Sequence, residues 1–390
     1  MSGAARYLPR TVIVLGLVSL LNDAASEMIT PLLPLFLTMT LGAGPLVVGL
    51  IEGLAEATSS ILKLISGRLA DRGWRHKRLV VGGYTLSNIA RPLIGVALSW
   101  TWVLGLRFLD RAGKGLRTAP RDALIAGAVD SRRRGRAFGF HRAMDHGGAI
   151  IGPLVAFVFL QFNFELRNVF LLSVIPGVLL LVLLAVSLPP TPPAAPVPEP
   201  LGRMRWGSLD MRLRGLLVSA AGLSMAAVPE AFLVLWAQAE GIALVWVPLL
   251  WAAAHVAKAL AAIPGGSLSD HRGRMPVLLI GWSVRILVLA LIAATTAYPP
   301  AVVVLFITYA AALAWTEGAE RALIGDFAPS AQKATAFGLY HVATGLMALP
   351  GALLFGALWQ WLGMAAAFAT AAVLSTVSAA ALFYVYRRGH

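Results

Sequence analysis

The sequence contains no cysteine and few charged residues, and each shortage excludes a class of protein. Without Cys, the chain has no disulfide framework, zinc ribbon, iron–sulfur cluster or thiol nucleophile. Asp, Glu, Lys and Arg make up only 13% of the 390 residues, whereas a disordered chain would carry far more charge. The hydrophobic share of 58% exceeds what a soluble protein of this length can bury. The composition therefore predicts an integral membrane protein.

Acidic residues are scarcer than basic ones, 18 against 32, yet the positions of the basic residues argue against a nucleic-acid partner. Nineteen Lys and Arg lie in short loops and termini on one side of the predicted spans, and the opposite loops hold one, Arg167. Basic loops stay in the cytoplasm, so we expect both termini to be cytoplasmic in a protein of the inner (plasma) membrane. The basic side would contact anionic lipid headgroups.

Twelve apolar stretches are long enough to cross a bilayer, which needs about 20 residues. They are residues 11–38, 45–69, 78–97, 101–122, 136–160, 168–188, 213–238, 243–266, 276–296, 300–322, 334–358 and 362–386. Residues 189–212 separate the sixth span from the seventh and hold seven prolines within 189–200, which predicts an extended cytoplasmic linker. We therefore expect a bundle at 1–188, the linker, and a bundle at 213–390.

The two halves repeat at a constant offset of 199 residues. The offset carries Gly67, Asp71 and Arg75 onto Gly266, Asp270 and Arg274, and Ala137, Phe138 and Gly139 onto Ala336, Phe337 and Gly338. One ungapped offset through loops and helix starts predicts two homologous six-helix bundles related by a pseudo-twofold axis along the membrane normal. The predicted fold is all-α, with twelve transmembrane helices, and the repeat is typical of transporters.

The loops after spans two and eight, GRLADRGWRHKR from Gly67 and GSLSDHRGR from Gly266, resemble the G-x-L-A-D-R-x-G-R signature of the major facilitator superfamily. The stretch RAGKGLRTA, residues 111–119, is similar to the second motif of that superfamily. Gly148, Gly152 and Pro153 in GAIIGP are similar to the first part of its antiporter signature. Two further stretches look like a prokaryotic branch that includes drug and metal efflux carriers. The resemblance implies a monomeric secondary transporter that works by alternating access and needs no cofactor.

Four carboxylates are expected to crowd two neighbouring helices. Asp23 and Glu27 are four residues apart in span one, as are Glu52 and Glu56 in span two, so each pair faces one side of its helix. They cannot all be ionised at low dielectric without nearby cations. Three interpretations stay open: a salt-bridge network, a proton-coupling site, or direct binding of a cationic substrate or metal. The basic residues that would neutralise them are Arg107, Arg111 and Lys114.

Further candidates for proton coupling or substrate binding lie in spans four, five and ten. Asp110 lies among the arginines of span four, whose upper part could hold an anionic group, because the guanidinium fork fits carboxylate and phosphate. His141 and Asp145 begin span five, and histidine suits proton coupling or metal ligation, although a histidine that only bonds a neighbouring helix is the common case. Glu317 in span ten completes this set.

The cytoplasmic gate predicted by the family resemblance consists of charged residues at the inner ends of the spans. An alternative for the two loop aspartates, Asp71 and Asp270, is helix N-capping. The complete gate set is Asp71, Arg72, Arg75, Arg121, Asp122, Asp270 and Arg274.

We therefore expect a transporter that uses the proton gradient, with export of a metal ion, metal complex or drug-like solute as the preferred direction. The alternative is uptake or exchange of an organic anion. A membrane-embedded enzyme or a non-transporting scaffold is the alternative from another class. The sequence has no Walker lysine motif, no H-E-x-x-H and no catalytic G-x-S-x-G, so neither ATP-driven pumping nor enzymatic activity is expected.

Overall fold

The structure, a computed structural model, describes residues 8–71, 74–130, 133–187, 211–294, 298–328 and 333–388, and these form helices and short connections without a β-strand. The helices are α1 (Arg10–Glu27), α2 (Leu33–Leu35), α3 (Pro45–Asp71), α4 (His76–Leu93), α5 (Trp100–Gly127), α6 (Arg134–Gln161), α7 (Leu166–Leu172), α8 (Val174–Ser187), α9 (Met211–Ala226), α10 (Glu230–Ala239), α11 (Val247–Arg272), α12 (Arg274–Ala294), α13 (Pro299–Phe327), α14 (Lys333–Leu362) and α15 (Met364–Arg388).

Nine membrane-length helices are found among the described residues, and they correspond to predicted spans two and five to twelve. Predicted spans one, three and four are also helical, as α1 with α2, α4 and α5. Span three carries the buried Arg91 and span four the buried Arg107 and Arg117, which lowers their hydropathy, and span one is interrupted, which shortens its helix. The prediction of an all-α membrane protein is confirmed, and the helices are consistent with twelve spans.

Three predicted spans are not continuous α-helices. The α-helix of span one ends at Glu27, and a turn that contains Pro31 precedes α2 and a π-helical turn at Phe36–Thr40. Proline removes a backbone donor and clashes with the preceding turn, which accounts for this break. Span seven divides into α9 and α10 just before Glu230, where Pro229 is the N-cap residue. Span six divides at Ser173, whose hydroxyl donates to the carbonyl oxygen of Phe170 at 2.6 Å.

Contacts divide the chain into two compact units, of which the first comprises the described parts of Met1–Leu32 and Ile61–Pro198. In this unit α1 packs on α6 and α8, and α4 packs on α5. Its core contains fully buried aliphatic and aromatic side chains from several of these helices, including Leu15, Tyr84 and Ile125.

The second unit comprises Leu33–Ser60 and the described part of Glu199–His390. It therefore includes the first part of α3, which differs from the predicted division into 1–188 and 213–390. Glycines explain the packing of this segment, because a Cβ added at Gly49 would lie 2.3 Å from the carbonyl oxygen of Ala352 on α14. The predicted linker 189–212 lies outside the described residues except for its last two.

Tight turns in the second unit depend on glycine. Gly273 separates α11 from α12 with φ of 90°, and Gly363 separates α14 from α15 with φ of 91°. Side chains rarely adopt this left-handed backbone, so only glycine makes both turns without strain. The core of this unit includes Trp282 and Leu323.

Candidate functional site

Asp110, in the middle of α5, is buried against three arginines. Its Oδ1 accepts a hydrogen bond from Nε of Arg91 on α4 at 2.9 Å. Its Oδ2 lies 3.4 Å from Nη1 of Arg107 and 3.6 Å from Nε of Arg111. The side chains of Asp110 and Arg91 are 1% and 3% exposed. Three guanidinium groups therefore converge on this one carboxylate.

The approach of α4 to α5 depends on two glycines. A Cβ added at Gly83 would lie 2.6 Å from the carbonyl oxygen of Gly113, and one added at Gly113 would lie 2.4 Å from that of Gly83. Real Cβ atoms do not come this close to another atom, so any larger residue would push the helices apart. The glycines therefore set the spacing at which Arg91 reaches Asp110.

Polar side chains extend this cluster to α1. Nη1 of Arg91 donates to the side-chain Oδ1 of Asn22 at 3.0 Å and to the backbone carbonyl oxygen of Asn22 at 3.2 Å. Ser87 donates to the carbonyl oxygen of Asp110 at 2.8 Å and accepts from Nη1 of Arg117 at 2.9 Å. The guanidinium of Arg117 also lies 4.6 Å from the ring centroid of Tyr84. The buried charges of the first unit are thus hydrogen-bonded across three helices.

A second cluster surrounds Asp145 on α6. Ser19 of α1 donates to its Oδ1, and Nδ1 of His141 lies 3.4 Å from its Oδ2. His141 is buried, and its Nε2 has no hydrogen-bond partner among the described residues. Nη1 of Arg121 lies 3.5 Å from the hydroxyl of Ser19. The candidate residues His141 and Asp145 therefore contact each other, and Ser19 and Arg121 extend this cluster.

Asp23 lies beside this second cluster. Nδ2 of Asn22 donates to its Oδ1 at 2.9 Å, and its acidic neighbours are Asp145 and Glu27. Arg117 is its basic neighbour. Asp23 therefore stands between the cluster of Asp145 and that of Asp110.

The glycines of the partial antiporter signature pack α6 directly on α1. A Cβ added at Gly148 would lie 2.3 Å from the carbonyl oxygen of Leu20 and 3.0 Å from Cβ of Asp23. One added at Gly152 would lie 2.4 Å from the carbonyl oxygen of Ala24. This backbone contact holds Asp23 and Asp145 on facing helices.

The other predicted site residues belong to both units. Glu52 and Glu56 belong to the second unit, whereas Asp23 and Glu27 belong to the first. Glu317 pairs with Arg321 on the same helix at 2.5 Å, and both side chains are about half exposed. Lys114 is partly buried, and Thr118 donates to its carbonyl oxygen at 2.6 Å.

The second unit contains charged contacts that the sequence reasoning did not select. Lys258 of α11 pairs with Glu230 of α10. Glu320 accepts hydrogen bonds from Nε1 of Trp282 at 3.1 Å and from the hydroxyl of Tyr340 at 2.9 Å. The sequence contained a signal for the contact of Glu320 with Tyr340. The 199-residue offset carries the candidate residues Arg121 and His141 onto these two positions.

The predicted gate residues are only partly described. Arg72 and the side chain of Asp71 lie outside the described residues. Asp270 and Arg75 are exposed. Arg121 pairs with Asp122 at 2.9 Å, and Nη1 of Arg274 pairs with Oδ2 of Asp326 at 2.5 Å. The gate as a whole stays a prediction.

Within the ranges that the structure describes, no group of three or more His, Asp and Glu side chains is arranged to hold a metal ion. The charged residues described in the first unit form ion pairs and hydrogen bonds with one another. Ionisable residues inside membrane spans are costly, and they mark solute or proton pathways. Membrane-length helices with such buried charges define a multi-pass membrane protein of the transporter kind.

The chain belongs to the Major Facilitator Superfamily, whose sequence pattern matches residues 15–257 and 249–390. It is 32% identical over 391 residues to the uncharacterized MFS-type transporter MJ1317 of Methanocaldococcus jannaschii, a match that covers 97% of this chain and 96% of the other. It is 32% identical to the multidrug resistance protein MdtH of Photorhabdus laumondii over 168 residues, 42% of this chain and 41% of that one. The nucleoside transporter NupG shares its fold with a TM-score of 0.81 at 14% identity, covering 96% and 100% of the two chains.

Proposed function

We propose that this member of the superfamily is a proton-coupled secondary transporter that exports a small solute by alternating access. The observation that carries the proposal is the contact of Asp145 with Ser19 and His141 beside Asp23. Carboxylate and imidazole groups can take up and release protons at physiological pH, whereas the neighbouring arginines stay charged. A buried His–Asp pair between two spans suits the coupling step.

Export is the proposed direction for two reasons. Gly148 and Gly152 of the partial antiporter signature make the backbone contact that places Asp145 opposite α1. The partial similarity to a multidrug resistance protein also favours export of a drug-like solute. We further propose that the protein acts as a monomer in the inner membrane, with both termini in the cytoplasm and its basic side on anionic lipid.

Everted membrane vesicles energised by a pH gradient test this proposal, with ethidium, zinc and benzoate as trial solutes. The solute that the wild type moves is then used with His141→Gln and Asp145→Asn. Both variants should lose gradient-driven movement by at least about tenfold while still expressing at wild-type levels. His146→Gln is the matched control, because His146 lies on the same helix but is exposed. Full gradient-driven flux in both variants would reject the coupling role.

Uptake or exchange of an organic anion is the second candidate. It is favoured by the three guanidinium groups that share the carboxylate of Asp110. These guanidinium groups suit the carboxylate of an organic anion, since arginine presents two parallel donors to it. Flux of labelled benzoate in proteoliposomes, corrected for protein-free liposomes, is compared with and without an imposed pH gradient. Exchange of one anion for another should be independent of that gradient, whereas proton-coupled export should respond to it.

A further inference from the structure

The second unit contains a buried arginine in the middle of a membrane span. Arg285 lies 11 residues after Arg274, the first residue of the 21-residue helix α12, which places it about 16 Å along the span at 1.5 Å per residue. It is 5% exposed. Its guanidinium carbon lies 5.6 Å from the ring centroid of Tyr309 on α13, and Tyr309 is 1% exposed.

Neither side chain satisfies its polar atoms within the described part of the chain. Nε of Arg285 and the hydroxyl of Tyr309 are both buried without a hydrogen-bond partner there. The ion pairs found among those residues do not include Arg285 either. The ring of Tyr309 offers only a cation–π contact, whereas a buried charge at this depth needs a counter-charge or water.

The internal repeat shows which residue of the second unit replaces Asp110 of the first. Tyr309 stands 199 residues after Asp110, so the two occupy equivalent positions on α13 and α5. In the first unit Asp110 accepts a hydrogen bond from the buried Arg91 of the preceding helix at 2.9 Å. The offset carries Arg91 onto Ala290 and Leu86 onto Arg285, so the buried arginine of the second unit lies five residues earlier along its helix. The position that holds a carboxylate in the first unit holds the phenol of Tyr309 in the second, and this phenol leaves Arg285 without a negative charge beside it.

A further aromatic contact lies one helical turn from Tyr309. Phe306 lies three residues before Tyr309 on the same helix and packs edge-on against Trp251 of α11, with centroids 6.4 Å apart. The offset places these two residues at the positions of Arg107 and Glu52. The second half thus replaces charged positions of the first half with rings. These rings suit the apolar body of a ligand whose charged end meets Arg285.

We propose that Arg285 and Tyr309 form a binding site for the oxyanion of a small solute with an apolar body, such as an aromatic carboxylate. The guanidinium edge that includes Nε donates to the two anion oxygens, and the hydroxyl of Tyr309 donates a further bond. The bound anion supplies the charge that Asp110 supplies in the first unit. The site does not depend on proton coupling or on transport direction.

Benzoate is the probe, and benzamide is its neutral counterpart of the same shape. Binding is measured by calorimetry and thermal unfolding on the purified protein in nanodiscs of phosphatidylcholine, without any gradient. Benzoate should bind and raise the melting temperature of the wild type, and benzamide should not. Arg285→Gln should weaken benzoate binding at least about tenfold, and Arg285→Lys should retain part of it. Tyr309→Phe should weaken it by less, because one donor is lost.

Tyr309→Asp is the decisive variant, since it places a carboxylate on the residue that now contacts the guanidinium of Arg285. The new carboxylate should neutralise Arg285, leave the protein folded and abolish the response to benzoate. If Arg285→Gln does not fold, Tyr309→Phe and Tyr309→Asp still test the site. Equal responses to benzoate and benzamide, or a wild-type benzoate response in Tyr309→Asp, would overturn the proposal.

Two further binding measurements distinguish a free solute from a lipid headgroup as the anion that occupies the site. Inorganic phosphate competing with benzoate would support a general oxyanion site. Stabilisation by phosphatidylglycerol nanodiscs that is lost in Arg285→Gln, with no effect of benzoate, would assign the site to a lipid headgroup and reject a solute. Because binding is measured without a gradient, failure of proton coupling in His141→Gln leaves this result unaffected, and the reverse also holds.

Discussion

Gly83 on α4 and Gly113 on α5 face each other so closely that a Cβ on either would lie within 2.6 Å of the other's carbonyl oxygen. Gly113→Ala should therefore force α4 and α5 apart and destabilise the protein by about 1–3 kcal/mol, the usual effect of overpacking. The free energy of unfolding from a denaturant titration in detergent measures this. Gly105→Ala is the matched control on the same helix, because an added Cβ there meets nothing within 4 Å.

The ion pair of Arg91 and Asp110 gives a second prediction. Asp110→Asn leaves three buried guanidinium groups without their carboxylate and should cost about 3–5 kcal/mol, as for other buried pairs. Asp122→Asn breaks a pair whose carboxylate is 44% exposed and should cost about 0–1 kcal/mol. The free energies of unfolding of the two variants are measured by denaturant titration and compared with that of the wild type. Equal losses of unfolding free energy in the two variants would show that burial of the Asp110 pair does not increase its contribution to stability.

The adjacent glycines of α6 give a third prediction. Gly148→Ala should weaken the packing of α6 on α1 and reduce transport, because its Cβ would meet the backbone of α1 at 2.3 Å. Gly147→Ala should be tolerated, since its Cβ would meet Leu20 at an ordinary 3.6 Å. Transport rates normalised to the amount of folded protein measure the difference. Wild-type transport by Gly148→Ala would remove the packing role assigned to the signature.

The contact of the first turn of α3 with α14 gives a fourth prediction, which concerns motion. The backbone N–H of Leu46 donates to Oε1 of Gln360 at 3.2 Å. If alternating access separates these segments, a disulfide between Leu46→Cys and Gln360→Cys should stop transport, and dithiothreitol should restore it. The natural chain has no cysteine, so no other disulfide can form within it. Each single cysteine variant is a control. Full transport by the cross-linked protein would exclude separation of this contact.

The predicted cytoplasmic gate gives a fifth prediction. As a gate residue, Asp270 should influence which side of the protein is open, whereas Asp326 pairs with Arg274 inside the second unit. An exposed ion pair is worth about 0–1 kcal/mol, so Asp270→Asn should shift the population of open states by up to about fivefold. Spin-label distances across the cytoplasmic ends measure this. Asp326→Asn should alter stability alone, and equal distance distributions in wild type and Asp270→Asn would reject the gate role.

The features that could be predicted from the sequence are those set by the bilayer. Every span must satisfy its own backbone hydrogen bonds, so hydropathy and length show the helices without knowledge of their neighbours. The helix breaks at Pro31 and Pro229 have a local cause too, and the prolines were the available signal. The contact of His141 with Asp145 is also local, since the two lie four residues apart on one helix, and this spacing was the available signal.

Partners on different helices could not be predicted in this way. Ser19 and Asp145 are 126 positions apart, and Arg91 and Asp110 are 19 apart on separate helices. Which of several acids and bases meet depends on helix rotation and spacing, and here glycine contacts set that spacing. The crowding of Asp23, Glu27, Glu52 and Glu56 was expected from helix faces, yet the structure assigns the two pairs to different units.

Composition, hydropathy and the repeat thus determined by themselves that this is an all-helical membrane protein with two related halves, because bilayer solvation acts on each segment alone. Only the tertiary structure decided that Asp110 neutralises Arg91 while Tyr309, at the equivalent position, leaves Arg285 without a carboxylate. Electrostatic compensation at low dielectric acts over a few ångströms between helices, and a linear sequence does not contain that distance.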